Sequence, residues 1–261
     1  MNQPLAYVHP GAKIAKNVVI EPFATIHNNV IIGEGTWIGS NVSIMEGARI
    51  GKNCSIFPGA VISATPQDLK YDGEETIVEI GDHTTIRECA TINKGTADRQ
   101  KTVIGKHCII MAYCHVAHDC IVGDYCVFSN NSTLAGHVTI GDYVVLAGMV
   151  AVQQFVSIGS HAFVTGGSLV RKDVPPFVKG GREPMSYVGI NSVGLRRRGF
   201  STEKIREIQN IYRILYQMNY NNSQAAQILE AEMEATPERD EILQFIRDSQ
   251  RGIMKGYFSN N

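Results

Sequence analysis

The heptapeptide Cys114–Cys120, CHVAHDC, sets two histidines, an aspartate and two cysteines within seven residues. Such side chains suit three chemistries: a metal site, a disulfide, or a histidine base oriented by a carboxylate. Which applies depends on where each side chain points. The elements around the heptapeptide must supply that direction.

Those elements announce themselves by a period of six. Stepping by six from Val8 meets an aliphatic residue at every position through Ile62, resumes in the same phase at Ile80, Ile86 and Ile92, and runs again from Ile104 to Val170. Phe128 is the single member that is not Ile, Val or Leu. This is neither the 3.6-residue period of a helix nor the alternation of a plain strand; it is the signature of a parallel β-helix. The residue four places after each aliphatic should also face inward, where space is tight. It reads Ala, Val, Thr, Ser or Cys from Ala12 to Ala60, at Thr84 and Ala90, and from Cys108 to Ser168. Cys54, Cys108, Cys114, Cys120 and Cys126 occupy this slot and read as small core residues, not as ligands or disulfide partners. Cys89 lies one position off it and stays open. Glycine directly follows the aliphatic at Gly33, Gly39, Gly51, Gly81, Gly105, Gly123, Gly141 and Gly159, where a sharp corner is expected to need a positive φ.

The pattern resembles the hexapeptide-repeat, left-handed parallel β-helix family, in which three hexads make one triangular coil. The resemblance implies eight coils and a remainder, a prism roughly 40 Å long at ~4.8 Å per coil. The period lapses near 64–79 and 95–103 and restarts in phase after each lapse. Both read as excursions from a continuous prism, the kind of loop in which binding residues collect. Residues 1–178 are therefore expected to form the β-helix, and 179–261 a glycine-rich linker and a small α-helical domain. In that tail Ser201 can cap a helix with Ile205, Ile208, Tyr212 and Leu215 on one face, Ser223 can cap a second, and Thr236-Pro237 can open a third.

Composition narrows the function classes. With 261 residues, 44% of them hydrophobic, and a net charge of −1, the chain has a sizeable core and no basic field for nucleic acid. No stretch approaches the ~18 apolar residues of a membrane span, and the first residues lack a charged and then apolar leader. A cytoplasmic protein is expected.

With eighteen residues per coil, His118, Gly136 (beside His137) and Gln154 fall on one edge at successive levels. His118, two residues after inward Val116, should project outward from the prism. Asp119 can bond one ring nitrogen and fix the tautomer, and the side-chain-free Gly136 can offer its N–H to an oxyanion. A base plus such a donor is a minimal kit for acyl transfer. A zinc reading would draw on His115, His118 and His137, like the zinc-dependent carbonic anhydrases of the same fold. His115 stands at another hexad position, which counts against it.

Further motifs extend the resemblance. QDLKY (Gln67–Tyr71), AHDC (Ala117–Cys120), TLAGHV (Thr133–Val138), QQF (Gln153–Phe155), DVPP (Asp173–Pro176) and RRRGFS (Arg196–Ser201) occur in the order found in UDP-N-acetylglucosamine O-acyltransferases. The chain resembles that family over essentially its whole length. The resemblance implies transfer of an (R)-3-hydroxyacyl group from acyl carrier protein to the 3-hydroxyl of UDP-N-acetylglucosamine, the first step of lipid A biosynthesis. It implies a homotrimer with sites between prisms and neither metal nor cofactor. His118 becomes the general base, Asp119 its orienting partner and the Gly136 amide the oxyanion donor. Gln67, Asp68 and Lys70 reach toward substrate from the first excursion, Asp68 near the acyl hydroxyl. His115 flanks the cleft, and His137 and Gln154 contact the sugar or the thioester region. Asn191, Arg197 and Arg198 belong to the nucleotide, the arginines at diphosphate and uridine. Gly166 gauges the acyl chain and, being glycine, leaves room for a long one. Lys172, Lys179 and Arg182 are candidates for docking the acidic carrier. Three departures stand out: the family carries histidine in place of Asn93 and Gln153, and an acidic residue in place of Val193. The Gly180–Pro184 stretch, GGREP, also differs.

Two other functions stay open on these grounds. One is a hexapeptide acyltransferase with another acceptor or with acetyl-CoA. The related N-acyltransferase carries an extra N-terminal domain, whereas the hexads here begin at Val8. The other is a non-catalytic or zinc-dependent, carbonic-anhydrase-like β-helix.

Overall fold

Each hexad folds as a short strand that ends on its inward aliphatic, as in Thr25–Ile26 and His115–Val116, followed by a corner. The computed structural model describes residues 5–218 and 220–256. Val8 pairs in parallel with Ile26, Val116 with Leu134 and Leu134 with Val152, so one coil takes eighteen residues. The strands assemble into three sheets of nine, eight and ten strands among the described residues. They form the faces of one parallel β-helix. The first face begins with Tyr7–Val8, the second with Lys13–Ile14 and the third with Val19–Ile20.

Inside, the stacked aliphatics make one continuous core. Ile26, Ile44, Ile62, Ile92, Val116 and Leu134 are all inaccessible to solvent, and burying each such side chain contributes about 1.5–3 kcal/mol. The tight slot behaves as its composition predicts. Cys54, Cys108, Cys114, Cys120 and Cys126 are buried, and Cys89 is exposed. Threonine in the slot is satisfied: Thr36 Oγ1 donates to the Gly51 carbonyl and accepts from Cys54 N.

Positive φ does not fall on the glycines that follow the aliphatics. It falls two residues later, three places after the inward residue, at Asn17, Asn29, Asn41, Asn53, Tyr125, Tyr143 and, in the opening heptapeptide and the next coil, Asp119 (φ 59°) and His137 (φ 62°). The glycines answer a different need. A Cβ on Gly105 would lie 2.4 Å from the Gly123 carbonyl oxygen, and one on Gly33 2.6 Å from the Gly51 carbonyl carbon. At these corners the coils approach too closely for a side chain.

Both lapses of the period are excursions at the corner between the first and second faces. They run between the strands Val61–Ala64 and Ile77–Ile80, and between Thr91–Asn93 and Lys101–Ile104. Each ends earlier than the lapse in the period, because Ile77–Glu79 pair with Lys101–Val103 as strand before the phase resumes.

The expected linker from residue 179 is in fact a hairpin. Val178–Gly181 extends the third face beside Phe163–Val164, and Ser186–Ile190 returns antiparallel to it. The diprolyl turn interrupts the hexads but not the ladder, since Thr165 N still donates to the Gly180 carbonyl. Among the described residues four helices follow: α1 (Ser192–Arg197), α2 (Thr202–Gln217), α3 (Asn222–Glu232) and α4 (Pro237–Asp248). Ser201 and Thr236 cap α2 and α4 as their sequence predicts. Ser223 does not cap α3. Asn221 takes that place, because it forms a reciprocal capping box with Gln224 that Ser223, already inside the first turn, cannot. Ile205, Ile208, Tyr212 and Leu215 are buried. The Tyr212 hydroxyl donates to the Pro176 carbonyl and that of Tyr216 to the Met254 carbonyl, tying the helices to the end of the prism.

Candidate active site

The opening heptapeptide resolves by direction. The thiols of Cys114 and Cys120 turn inward and donate to the carbonyls of Ser129 and Ala135. Burial pushes them up to about 11 and about 12, so neither is a nucleophile at neutral pH. His118 turns outward, as expected, yet it is only 4% exposed. The excursions cover it.

His118 Nδ1 lies 2.8 Å from Asp119 Oδ2. The carboxylate takes three further hydrogen bonds from the second excursion: Thr96 Oγ1 to Oδ2 at 2.6 Å, Thr96 N to Oδ1 at 3.0 Å and Arg99 N to Oδ1 at 3.2 Å. Burial raises the Asp119 carboxyl, but the bonds from Thr96, His118 and Arg99 outweigh it and hold the group below the ordinary carboxylate value. Their stabilisation is therefore complete above the ordinary value of about 4 and is lost as pH falls through the depressed one. An ionised carboxylate only accepts, so Nδ1 carries the imidazole proton and Nε2 presents its lone pair.

Nε2 faces the expected column. A Cβ on Gly136 would lie 2.6 Å from His118 Nε2 and 3.2 Å from Gln154 Nε2, which places the three residues side by side on one edge. The Gly136 N–H has no hydrogen-bond partner among the described residues. His137 meets the His118 ring edge-on at 5.0 Å and stacks on exposed Phe155 at 4.6 Å. Its Nδ1 lies 3.1 Å from Asp98 Oδ2, an ion-pair distance without hydrogen-bond alignment. Asp68 reaches in from the first excursion, with Oδ2 3.9 Å from His118 Nε2. Gln67 and Lys70 stand exposed beside it, and Leu69 between them is fully exposed. The excursions also hold each other: Ala97 N donates to Glu74 Oε1, and Lys94 lies over the Tyr71 ring. Asn93 donates to the Thr65 carbonyl at the root of the first excursion.

His115 faces out from the first face, with Nδ1 2.7 Å from Thr91 Oγ1. Burial, and then its neighbour His118, keep it below the ordinary histidine value. The donor set nearest to a metal site is thus not His115, His118 and His137 but His118, Asp119 and His137, whose ligand atoms lie within 4.8 Å of one another. A cation there would have to displace donors that already saturate Asp119.

The remaining predicted residues lie elsewhere. Asn191, Arg197 and Arg198 line a cavity of about 570 Å³ on the third face, with Val145, Phe163 and Lys179. In a three-faced prism the third face lies opposite the edge that carries His118. The Asn191 side chain caps α1 and donates to the His161 carbonyl. Arg197 is exposed, whereas Arg198 lies against a ladder of rings on the edge between the second and third faces, its guanidinium 5.1 Å from the Tyr143 ring. In that ladder His161 stacks on Tyr143 at 4.8 Å, and burial, then Arg198, lower it to about 4. Gly166 sits on the third edge, between the third and first faces, stacked on Gly148. Lys172 donates to the Arg251 carbonyl, and Lys179 lies over the Phe163 ring.

Thr96, Asp98 and Arg99 do not emerge from the sequence reading. A signal for them was present. Counting two residues on from Ile62, Ile92 and Val116 gives Ala64, Lys94 and His118, so both excursions leave the prism from the column that carries the histidine.

A stack of hexads with a histidine–carboxylate pair on one edge has the construction of the hexapeptide-repeat acyltransferases. Family models agree: one described as bacterial transferase hexapeptide (six repeats) matches residues 29–64 and 101–136, and one described as UDP-N-acetylglucosamine O-acyltransferase, domain 2, matches residues 173–254. The chain is 55% identical over 193 residues to the acyl-[acyl-carrier-protein]–UDP-N-acetylglucosamine O-acyltransferase of Chlorobaculum parvum, covering 74% of this chain and 73% of that protein. It superposes on the UDP-N-acetylglucosamine acyltransferase of Bacteroides fragilis with a TM-score of 0.96 at 48% identity, over 98% of this chain and 100% of that one. For the Francisella novicida enzyme the TM-score is 0.96 at 41% identity, over 100% and 95%. The chain belongs to the UDP-N-acetylglucosamine O-acyltransferase family.

Proposed function

We propose that the chain transfers the (R)-3-hydroxyacyl group of an acyl carrier protein thioester to the 3-hydroxyl of UDP-N-acetylglucosamine, the step that opens lipid A biosynthesis. The observation that carries the mechanism is the juxtaposition of His118, Asp119 and Gly136, with the imidazole bonded to a carboxylate on one side and open toward the glycine on the other. His118 Nε2 accepts the proton of the sugar hydroxyl as its oxygen attacks the thioester carbonyl. The Gly136 N–H stabilises the oxyanion of the tetrahedral adduct. Collapse breaks the carbon–sulfur bond, and the departing thiolate of the carrier takes the proton back from the imidazolium. Asp119 holds the ring and balances the transient positive charge. Asp68, Gln67 and Lys70 belong to the acyl-bearing side of this cleft, His137 and Gln154 to the sugar and thioester.

Each site is completed by a second copy of the chain in a homotrimer. What supports this is the division within one chain: the base stands on the edge opposite the face that carries Asn191, Arg197 and Arg198, so the body of the prism separates the two. The same reading places the chain in the cytoplasm, where six unpaired thiols suit a reducing compartment. Among the described residues no helix is long and apolar enough to cross a membrane.

The direct test is incubation with UDP-N-acetylglucosamine and 3-hydroxyacyl carrier proteins of several chain lengths. Formation of the acylated sugar nucleotide supports the reading; no product at any length overturns it. Chain length has its own test. Gly166 is exposed and its stacked neighbour Gly148 is also side-chain-free, so a long chain meets no obstruction there. Gly166→Met is expected to shift the preference toward shorter chains by about 10-fold or more in relative kcat/KM. An unchanged preference removes Gly166 from the role.

A further inference from the structure

We propose that Thr96 is a positioning residue for the transfer, donating both its hydroxyl and its amide hydrogen to Asp119 so that the carboxylate holds His118 with Nε2 free. This rests on the reading of His118 as the base.

The direction of the hydroxyl bond is determined by its surroundings. Asp98 N donates to Thr96 Oγ1 at 3.3 Å, so that oxygen already serves as an acceptor and its own hydrogen goes to Asp119 Oδ2, 2.6 Å away. The amide bond to Oδ1 closes the other side of the carboxylate. Thr96 is 8% exposed and Asp119 is inaccessible, so water cannot replace either donor without opening the excursion. Asp119 also stands at φ 59°, in the left-handed region that a residue with a side chain rarely adopts, and is held there by its contacts. Oδ2 is the oxygen that receives His118 Nδ1. Any swing of the carboxylate therefore turns the imidazole. Arg99 supports the same corner, its guanidinium donating to the Asp119 carbonyl and its amide to Oδ1. It cannot replace the Thr96 bond to Oδ2.

The test compares Thr96→Val, which keeps the amide and the shape but loses the hydroxyl, with Thr96→Ser, which restores it. In the full-length protein, 15N shifts of the His118 ring report which nitrogen carries the proton, and steady-state kinetics separate kcat from KM. Thr96→Val is expected to lower kcat by about 10-fold or more, with KM for the sugar nucleotide little changed, and to mix the two ring tautomers. Thr96→Ser is expected to restore both. If the valine variant keeps the wild-type tautomer and kcat, or if serine fails as valine does, the proposal falls. Should the valine variant not fold, Thr96→Ala read by the same ring shifts decides. The tautomer reports on Thr96 whether or not His118 is the base. Failure of the base itself would appear instead as turnover surviving in His118→Ala.

Discussion

His118→Ala is expected to lose about 10²–10⁴-fold in kcat, the range over which a positioned general base accelerates proton transfer. The variant should keep its fold and its affinity for UDP-N-acetylglucosamine, because the imidazole lies outside the continuous core and holds no element of the prism together. The loss follows from burial and bonding. With His118 shielded and Nε2 alone facing the cleft, nothing nearby replaces it: His115 is turned to Thr91, and His137 has its Nδ1 against Asp98. Steady-state kinetics, with calorimetry for nucleotide binding, would measure this. Turnover within about 10-fold of wild type would place the base elsewhere.

Gly136→Ala is expected to lower kcat by about 10²-fold, the penalty for an ångström-scale misplacement of a catalytic group. The added methyl would stand 2.5 Å from His118 Cε1 and 2.6 Å from Nε2, and the ring cannot retreat while Asp119 holds its far side. Alanine retains the backbone N–H, so the effect comes from crowding of the imidazole and not from loss of the oxyanion donor. Binding of the sugar nucleotide and thermal stability should change little. Wild-type kcat in this variant would mean that Gly136 and His118 do not border a common cleft.

His118, Gly136 and Gln154 are related by the coil repeat, and a repeat transfers position from one level to the next with no knowledge of the remainder of the chain. Thr96, Asp98 and Arg99 lie in GTADRQK, where the period lapses, and their partners, Asp119 for Thr96 and Arg99 and His137 for Asp98, stand a coil or more further on. Their contacts depend on the path of a loop, which no local pattern encodes. The hairpin at Val178–Ile190 escaped for a similar reason. VKGG has no alternation, and only the open ladder of Phe163–Val164 makes it a strand.

From residue order follow the parallel β-helix, the inward columns and the caps of α2 and α4; the three hexads of a coil, and with them the edge shared by His118, Gly136 and Gln154, come from the family resemblance. Each depends on neighbours at a constant spacing, and aliphatic stacking makes that spacing cooperative along the whole prism. The folded chain alone decided that both excursions close over His118, that Asp119 is saturated by donors from the second of them, that glycine serves close approach and not positive φ after the aliphatics, and that the arginines lie across the prism from the base. These depend on contacts between segments with no common repeat, where burial and hydrogen-bond satisfaction, and not periodicity, select the arrangement.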